Sequence, residues 1–183
     1  MTRWMILDRD GVINRDAPDF VKSLAEWQPL PGSIAAIAKL SRAGYRVAIA
    51  TNQSGVGRGV IRSEDLYAMH AELCLQVARA GGVIDGIFYC PHAPEADCGC
   101  RKPRTGLLAP PPPPFPIPLR GPPAVGARLP PFEAARPPRC LPVLVRTGNG
   151  RATEMRLTTA ALHDLPVYDD LAAVADALVD PQL

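Results

Sequence analysis

Short apolar runs alternate with amphipathic stretches from Trp4 to Val179, and this alternation restricts the chain's folds more than any other feature. Trp4–Leu7, Tyr45–Ala50, Ile84–Tyr89 and Val143–Arg146 each have the length and residue types of a strand. Helical stripes fall between them. Ile34, Ile37, Ala38 and Leu40–Ser41 follow Pro31-Gly32-Ser33. Leu66, Met69, His70, Leu73 and Val77 follow Ser63, a candidate N-cap. Asp170–Val179 reads as a closing helix. Strands alternating with helices predict an α/β chain, a doubly wound parallel sheet without internal repeat. The 183 residues suit a single domain, 1–183, large enough for a real core. Composition breaks the pattern once: fourteen of the 22 prolines lie between Pro110 and Pro142.

The first strand runs straight into Leu7-Asp8-Arg9-Asp10-Gly11-Val12-Ile13-Asn14. Asp8 and Asp10 thus emerge at a strand's C-terminal end, where open α/β sheets place ligands. Two carboxylates there can share a divalent metal and divide nucleophilic and acid/base work. Thr51-Asn52-Gln53-Ser54-Gly55 ends the second strand. Its hydroxyl, carboxamide and turn amides suit a phosphate oxygen, although an ordinary polar turn has the same composition. Net charge is +2 with acids and bases interspersed, which gives no pull toward nucleic acid or an anionic membrane. No apolar run approaches a membrane span, and the N-terminus lacks a signal-peptide layout, so a cytoplasmic protein, taken as a monomer, is expected.

In a cytoplasmic setting the five cysteines are metal ligands or free thiols before they are disulfides. Cys90-Pro-His92 and Cys98-Gly-Cys100 put four soft or borderline ligands within eleven residues. Two close pairs around a five-residue loop fit structural, tetrahedral Cys3His Zn2+. Scattered cysteines or a Cys98/Cys100 redox pair are the other readings. Cys74 and Cys140 are expected to be plain thiols, and His70 and His163 to be non-ligands. Arg101-Lys102-Pro103 follows at once, so a metal in the loop would rigidify two cations suited to a phosphoryl group.

Together these motifs resemble the haloacid dehalogenase superfamily and, within it, the D,D-heptose 1,7-bisphosphate phosphatase family. The resemblance rests on Asp8–Asn14, on Trp27-Gln-Pro-Leu-Pro-Gly-Ser33, on Thr51–Gly55 with Arg58-Gly59, and on Cys90-x-His92-x5-Cys98-x-Cys100-Arg-Lys-Pro103. It spans Met1 to about Leu108 and resumes at Leu141. It implies a Rossmann-like sheet with a small zinc-binding loop. Asp8 would attack phosphorus and form an aspartyl-phosphate, with Asp10 as acid and then base. Mg2+ would be held by the Asp8 carboxylate and the Asp10 carbonyl. Thr51 and Lys102 would stabilise the phosphoryl group. Arg101, Asp16, Asp19, Asn52, Gln53 and Ser54 would meet the substrate, although the Asp16–Asp19 loop is one residue longer than in the family pattern. The substrate would be a small sugar bisphosphate losing its 7-phosphate, in the route to lipopolysaccharide core sugars. Histidinol phosphate is the alternative substrate, since phosphatases acting on it share the zinc loop.

One departure bears on the metal. The family pattern has an aspartate after the fourth strand, supplying a third Mg2+ carboxylate, and another four positions on. Here Pro123-Ala-Val-Gly126 fits the strand, but Ala127 and Pro131 stand at the two acidic places. The preceding stretch should be a helix, which Pro110–Pro114 forbids. Three readings follow, besides a plain proline-rich recognition tract: a sequence error in the stretch encoding 109–140, a damaged gene, or a true polyproline insert in a catalytically impaired, phosphosugar-binding remnant. The first is favoured, because a polyproline run conflicts with a core layer.

Overall fold

The computed structural model describes residues 2–108, 121–128, 140–157 and 165–180. Pro110–Pro114, Pro131 and His163, and the expectations attached to them, lie outside the described residues.

Six parallel strands form one sheet: β1 (Arg3–Leu7), β2 (Tyr45–Asn52), β3 (Gly86–Cys90), β4 (Pro123–Gly126), β5 (Leu141–Val145) and β6 (Val167–Tyr168). The order is β3-β2-β1-β4-β5-β6. The chain winds outward from β1 through β2 to β3, then returns to lay β4 on the other side of β1. The crevice for a ligand therefore opens at the carboxyl ends of β1 and β4. Helices α1 (Ser33–Arg42), α2 (Ser54–Gly57), α3 (Ser63–Arg79) and α4 (Gly150–Arg156) lie between strands, and α5 (Leu171–Val179) follows β6.

Alternation along β1 divides the core in two. Met5 and Leu7 face a large cluster with Ile37, Leu40, Leu66, Met69, Leu73 and Val174 from α1, α3 and α5. Trp4 and Ile6 face a smaller one with Ala48, Ala50, Leu108 and Ala124. Both faces are covered, so the strands read as continuous apolar runs. Pro142 is tolerated inside the sheet because Leu144 N–H already points to Pro166 on the β6 side, and β6 pairs only with Leu144 and Val145. The donor that Pro142 lacks would project beyond the end of β6.

Several element boundaries differ from those expected. Ser63 is the first residue of α3 rather than its cap; Arg62 precedes it with no side-chain cap bond, and Glu64 and Asp65 complement the helix N-terminus instead. Asp170 caps the closing helix α5 rather than opening it, accepting from Ala173 N–H at 2.9 Å. Strands β5 and β3 are each displaced by one or two residues from the apolar runs. No helix among the described residues is long and apolar enough to cross a membrane.

Candidate active site

The turn after β1 is folded by its own backbone. The N–H groups of Val12, Ile13 and Asn14 all reach the Arg9 carbonyl, at 3.3, 2.8 and 3.2 Å. Gly11 has φ +78, and its backbone lies so close to Gly148 that a Cβ on Gly148 would sit 2.6 Å from the Gly11 Cα. Thr147 Oγ1 donates to the Gly11 carbonyl at 2.6 Å. Contact with the β5–α4 loop therefore fixes the direction in which Asp8 and Asp10 project.

A cavity of about 410 Å3 opens there. Asp8, Asp10, Asp16, Thr51, Asn52, Gln53, Ser54, Arg101 and Lys102 line it, nine of the ten residues singled out from the sequence for catalysis and substrate contact. Asp19 is the exception: it is exposed and not part of the wall, while Phe20, at φ 68, lines the cavity in its place.

Asp8 is held from two sides. Its Oδ1 accepts the Arg9 backbone N–H at 2.8 Å, and its Oδ2 faces Lys102 Nζ at 2.8 Å. Lys102 also donates to the Ala50 carbonyl at 2.7 Å. An ammonium has three hydrogens, so one remains for a ligand in the cavity. Asn52 spends its carboxamide on the Lys102 backbone, accepting its N–H at 3.0 Å and donating to its carbonyl at 3.1 Å. It therefore positions Lys102. Gln53 Nε2 likewise donates to Asp10 Oδ2 at 2.8 Å and to Thr51 Oγ1 at 2.9 Å. With its lone pair so used, the Thr51 hydroxyl has its proton free for an acceptor in the cavity.

Asp10 gathers four donors. Its Oδ1 accepts from Arg9 Nε at 3.0 Å, Arg9 Nη2 at 2.8 Å and Asn14 Nδ2 at 2.9 Å; its Oδ2 accepts from Gln53. Burial pushes this carboxyl up, but the Arg9 charge and the bonds from Asn14, Arg9 and Gln53 outweigh it and hold Asp10 below the usual carboxylate range. Arg9, Asn14 and Arg128 are parts of the site that the motifs do not single out. Arg9 is the residue between the two acids and is 1% exposed. Arg128 lines the cavity and pairs with Asp16 Oδ2 at 2.9 Å, an oxygen that also accepts from Asn149 at 3.1 Å. The one sequence signal for Arg128 is its place next to Ala127.

Behind Arg9 lies His70, which is 8% exposed. Burial, then the Arg9 charge, lowers its pKa from 6.5 to about 4, against a smaller opposing pull from Asp10. The unfolded chain takes up a proton at His70 that the folded chain refuses until lower pH. This group's contribution is thus complete above about pH 6.5 and is lost as pH falls toward 4, by up to about 3 kcal/mol. Urea unfolding of the parent and of His70→Gln, at about pH 7.5 and about pH 4.5, checks this: the parent loses more stability on acidification. Equal losses would contradict it.

The Cys90, His92, Cys98 and Cys100 ligand atoms all lie within 4.8 Å of one another. Sγ to Sγ distances are 3.6 Å for Cys90–Cys98, 3.4 Å for Cys90–Cys100 and 3.5 Å for Cys98–Cys100. Cys100 Sγ is 3.3 Å from His92 Nδ1. A tetrahedron with metal–sulfur bonds of about 2.3 Å requires sulfurs roughly 3.8 Å apart, so the cluster fits a zinc-sized ion with small adjustment. Burial pushes the Cys90 thiol up to about 12. Burial also works against the Cys98 thiolate, but bonds from Cys100, Cys90 and the Arg101 and Cys100 amides bring it down to about 6. The loop is tied to the cavity: Arg101 Nη1 donates to the His92 carbonyl at 3.2 Å, and Gln53 N–H donates to the Cys90 carbonyl at 2.7 Å.

The donors for Mg2+ are fewer. The Asp8 carboxylate and the Asp10 carbonyl are oxygens of the right kind. At the end of β4, Ala127 is 3% exposed, and its methyl would lie 3.2 Å from a Cβ built on Gly11. It offers no side-chain oxygen. Mg2+ takes one or two carboxylates and completes its octahedron with phosphate and water, so the residues present fit a loosely held ion.

No family model matches the chain. Curated proteins do. The D-glycero-β-D-manno-heptose-1,7-bisphosphate 7-phosphatase of Pseudomonas aeruginosa is 49% identical over 175 residues, covering 96% of this chain and 97% of that protein. The enzyme of the same name from Pseudomonas putida is 47% identical over 175 residues, covering 96% and 98%. Among solved structures, the D,D-heptose 1,7-bisphosphate phosphatase of B. bronchiseptica, complexed with magnesium and phosphate, superposes with a TM-score of 0.86. It is 43% identical, over 98% of this chain and 99% of that one.

Proposed function

The chain belongs to the D,D-heptose 1,7-bisphosphate phosphatase family of the haloacid dehalogenase superfamily, and we propose that it hydrolyses the 7-phosphate of D-glycero-β-D-manno-heptose 1,7-bisphosphate. The observation that carries this is a cavity presenting Asp8, Asp10, Thr51 and Lys102 together, in a chain matched almost end to end by 7-phosphatases.

An oxygen of the Asp8 carboxylate attacks phosphorus as the bond from phosphorus to the sugar oxygen breaks. Asp10, ionised in the empty cavity, takes up a proton once the anionic ester lies beside it and raises its pKa, and gives that proton to the departing oxygen. Water then attacks the aspartyl-phosphate while Asp10 takes up a proton, releasing inorganic phosphate and restoring the Asp8 carboxylate. Lys102 Nζ and the Thr51 hydroxyl each direct a free proton at the oxygens of the moving group, whose charge grows in transit. Asn52 and Gln53 hold those two donors in place. Arg101 and Arg128 supply positive charge at the wall for the substrate's second phosphate. When bound by Asp8 and the Asp10 carbonyl, Mg2+ offsets repulsion between an anionic nucleophile and an anionic ester.

Kinetics with the β and α heptose bisphosphates and with histidinol phosphate test the substrate. The β-heptose bisphosphate is expected to have the highest kcat/KM. A preference for histidinol phosphate would overturn the reading.

Zn2+ in the Cys3His loop is the second part of the proposal. Purified protein should hold about one zinc per chain, and Cys98→Ser/Cys100→Ser should lose it. Because structural zinc contributes folding energy, the variant should also cut more readily with protease between His92 and Arg104. Elemental analysis that finds no zinc in chelator-free preparations would contradict this assignment.

A further inference from the structure

Arg9 carries its charge almost out of water, and a buried guanidinium requires an acceptor for each face of its fork. Nε and Nη2 are spent on Asp10 Oδ1. Nη1 lies 3.4 Å from His70 Nε2, across the boundary between the β1 turn and α3. A guanidinium has no lone pair to offer, so His70 must accept at Nε2 and carry its proton on Nδ1. The Tyr89 ring stands edge-on to the imidazole, 6.1 Å between centroids, and limits its rotation.

The two Asp10 oxygens are unequal. Oδ1 already accepts three hydrogen bonds, whereas Oδ2 accepts one, from Gln53. A transferable proton therefore has room on Oδ2 only. Rotation of the carboxylate would exchange the two oxygens, and the double contact from Arg9 opposes that rotation.

We infer that His70 is a positioning residue for the proton-transfer step: by accepting from Arg9 Nη1 it holds the guanidinium against Asp10 Oδ1, so that Oδ2 is the oxygen that delivers the proton to the leaving group. This rests on Asp10 acting as the acid. His70 is not part of the cavity wall; it acts through Arg9.

The leaving group separates this role from a merely structural one. A sugar alkoxide needs a proton as it departs, whereas p-nitrophenolate leaves without one. The ratio kcat/KM reports steps up to release of the first product, which isolates the transfer to Asp8. His70→Phe keeps a planar ring and removes the acceptor, and His70→Gln restores an acceptor oxygen at similar reach. His70→Phe should lower kcat/KM about tenfold for the heptose bisphosphate and less than about twofold for p-nitrophenyl phosphate. His70→Gln should stay within about threefold of the parent on both. If His70→Phe fails to fold, His70→Leu provides a second acceptor-free side chain. Equal losses on the two esters, or His70→Gln as impaired as His70→Phe, would overturn the role of His70. Asp10→Asn is the control. It should show the same leaving-group dependence with a larger loss; if it does not, the acid reading of Asp10 falls, and the inference with it.

Discussion

Asp8→Asn is expected to lower turnover by at least about a thousandfold while leaving the fold in place. An amide oxygen cannot displace an alcohol from phosphorus, and no other carboxylate in the cavity can take over: Asp10 is tied by four donors and Asp16 by three. The substitution is nearly isosteric. The Arg9 N–H can still donate to the oxygen of the new carboxamide, and Lys102 keeps the Ala50 carbonyl at 2.7 Å. The lost ion pair, at a wall that water reaches, should cost about 1–3 kcal/mol. Phosphate release with saturating Mg2+, beside a circular dichroism melt, measures both effects. Activity within about threefold of the parent would rule Asp8 out as nucleophile.

Ala127→Asp is the gain-of-function counterpart. Position 127 follows β4 at the switch point, beside the β1 turn that carries both acids. A carboxylate there would add a third oxygen to the two that Asp8 and the Asp10 carbonyl supply. A hard cation held by few charges binds weakly, so the Mg2+ concentration for half-maximal activity should fall at least about tenfold in the variant. Without Mg2+ the same side chain is an unpaired anion at a nearly closed position, and the variant should melt below the parent. Added Mg2+ should recover the difference by mass action. Full parent activity at low Mg2+, unchanged by Ala127→Asp, would mean that another group completes the metal site.

The fold is legible because the central strand β1 is apolar on both faces. Trp4 and Ile6 pack on one side of the sheet and Met5 and Leu7 on the other, so the run carries the signature of a buried parallel strand. β6 has two residues and α4 seven, too short to show a period, and neither stands out in the sequence. The acids and the zinc-type cluster are legible because their members lie close together along the chain. What stays hidden depends on contacts between distant residues. His70 is 61 positions from Arg9, and its place on the α3 stripe suggests only a packed or surface histidine. Asn52 and Gln53 are expected against substrate; the structure spends their amides on Lys102, Asp10 and Thr51. A motif shows that a carboxamide belongs at a strand end, but not which partner it satisfies there.

The proposed reaction removes one of the substrate's two phosphates, the one at carbon 7. Phosphorus NMR of the β-heptose 1,7-bisphosphate during turnover tests it directly, because the anomeric and primary phosphate esters give separate resonances. The 7-phosphate signal should disappear, inorganic phosphate should grow in equal amount and the anomeric signal should stay unchanged. Loss of the anomeric phosphate first, or of both at equal rates, would contradict it.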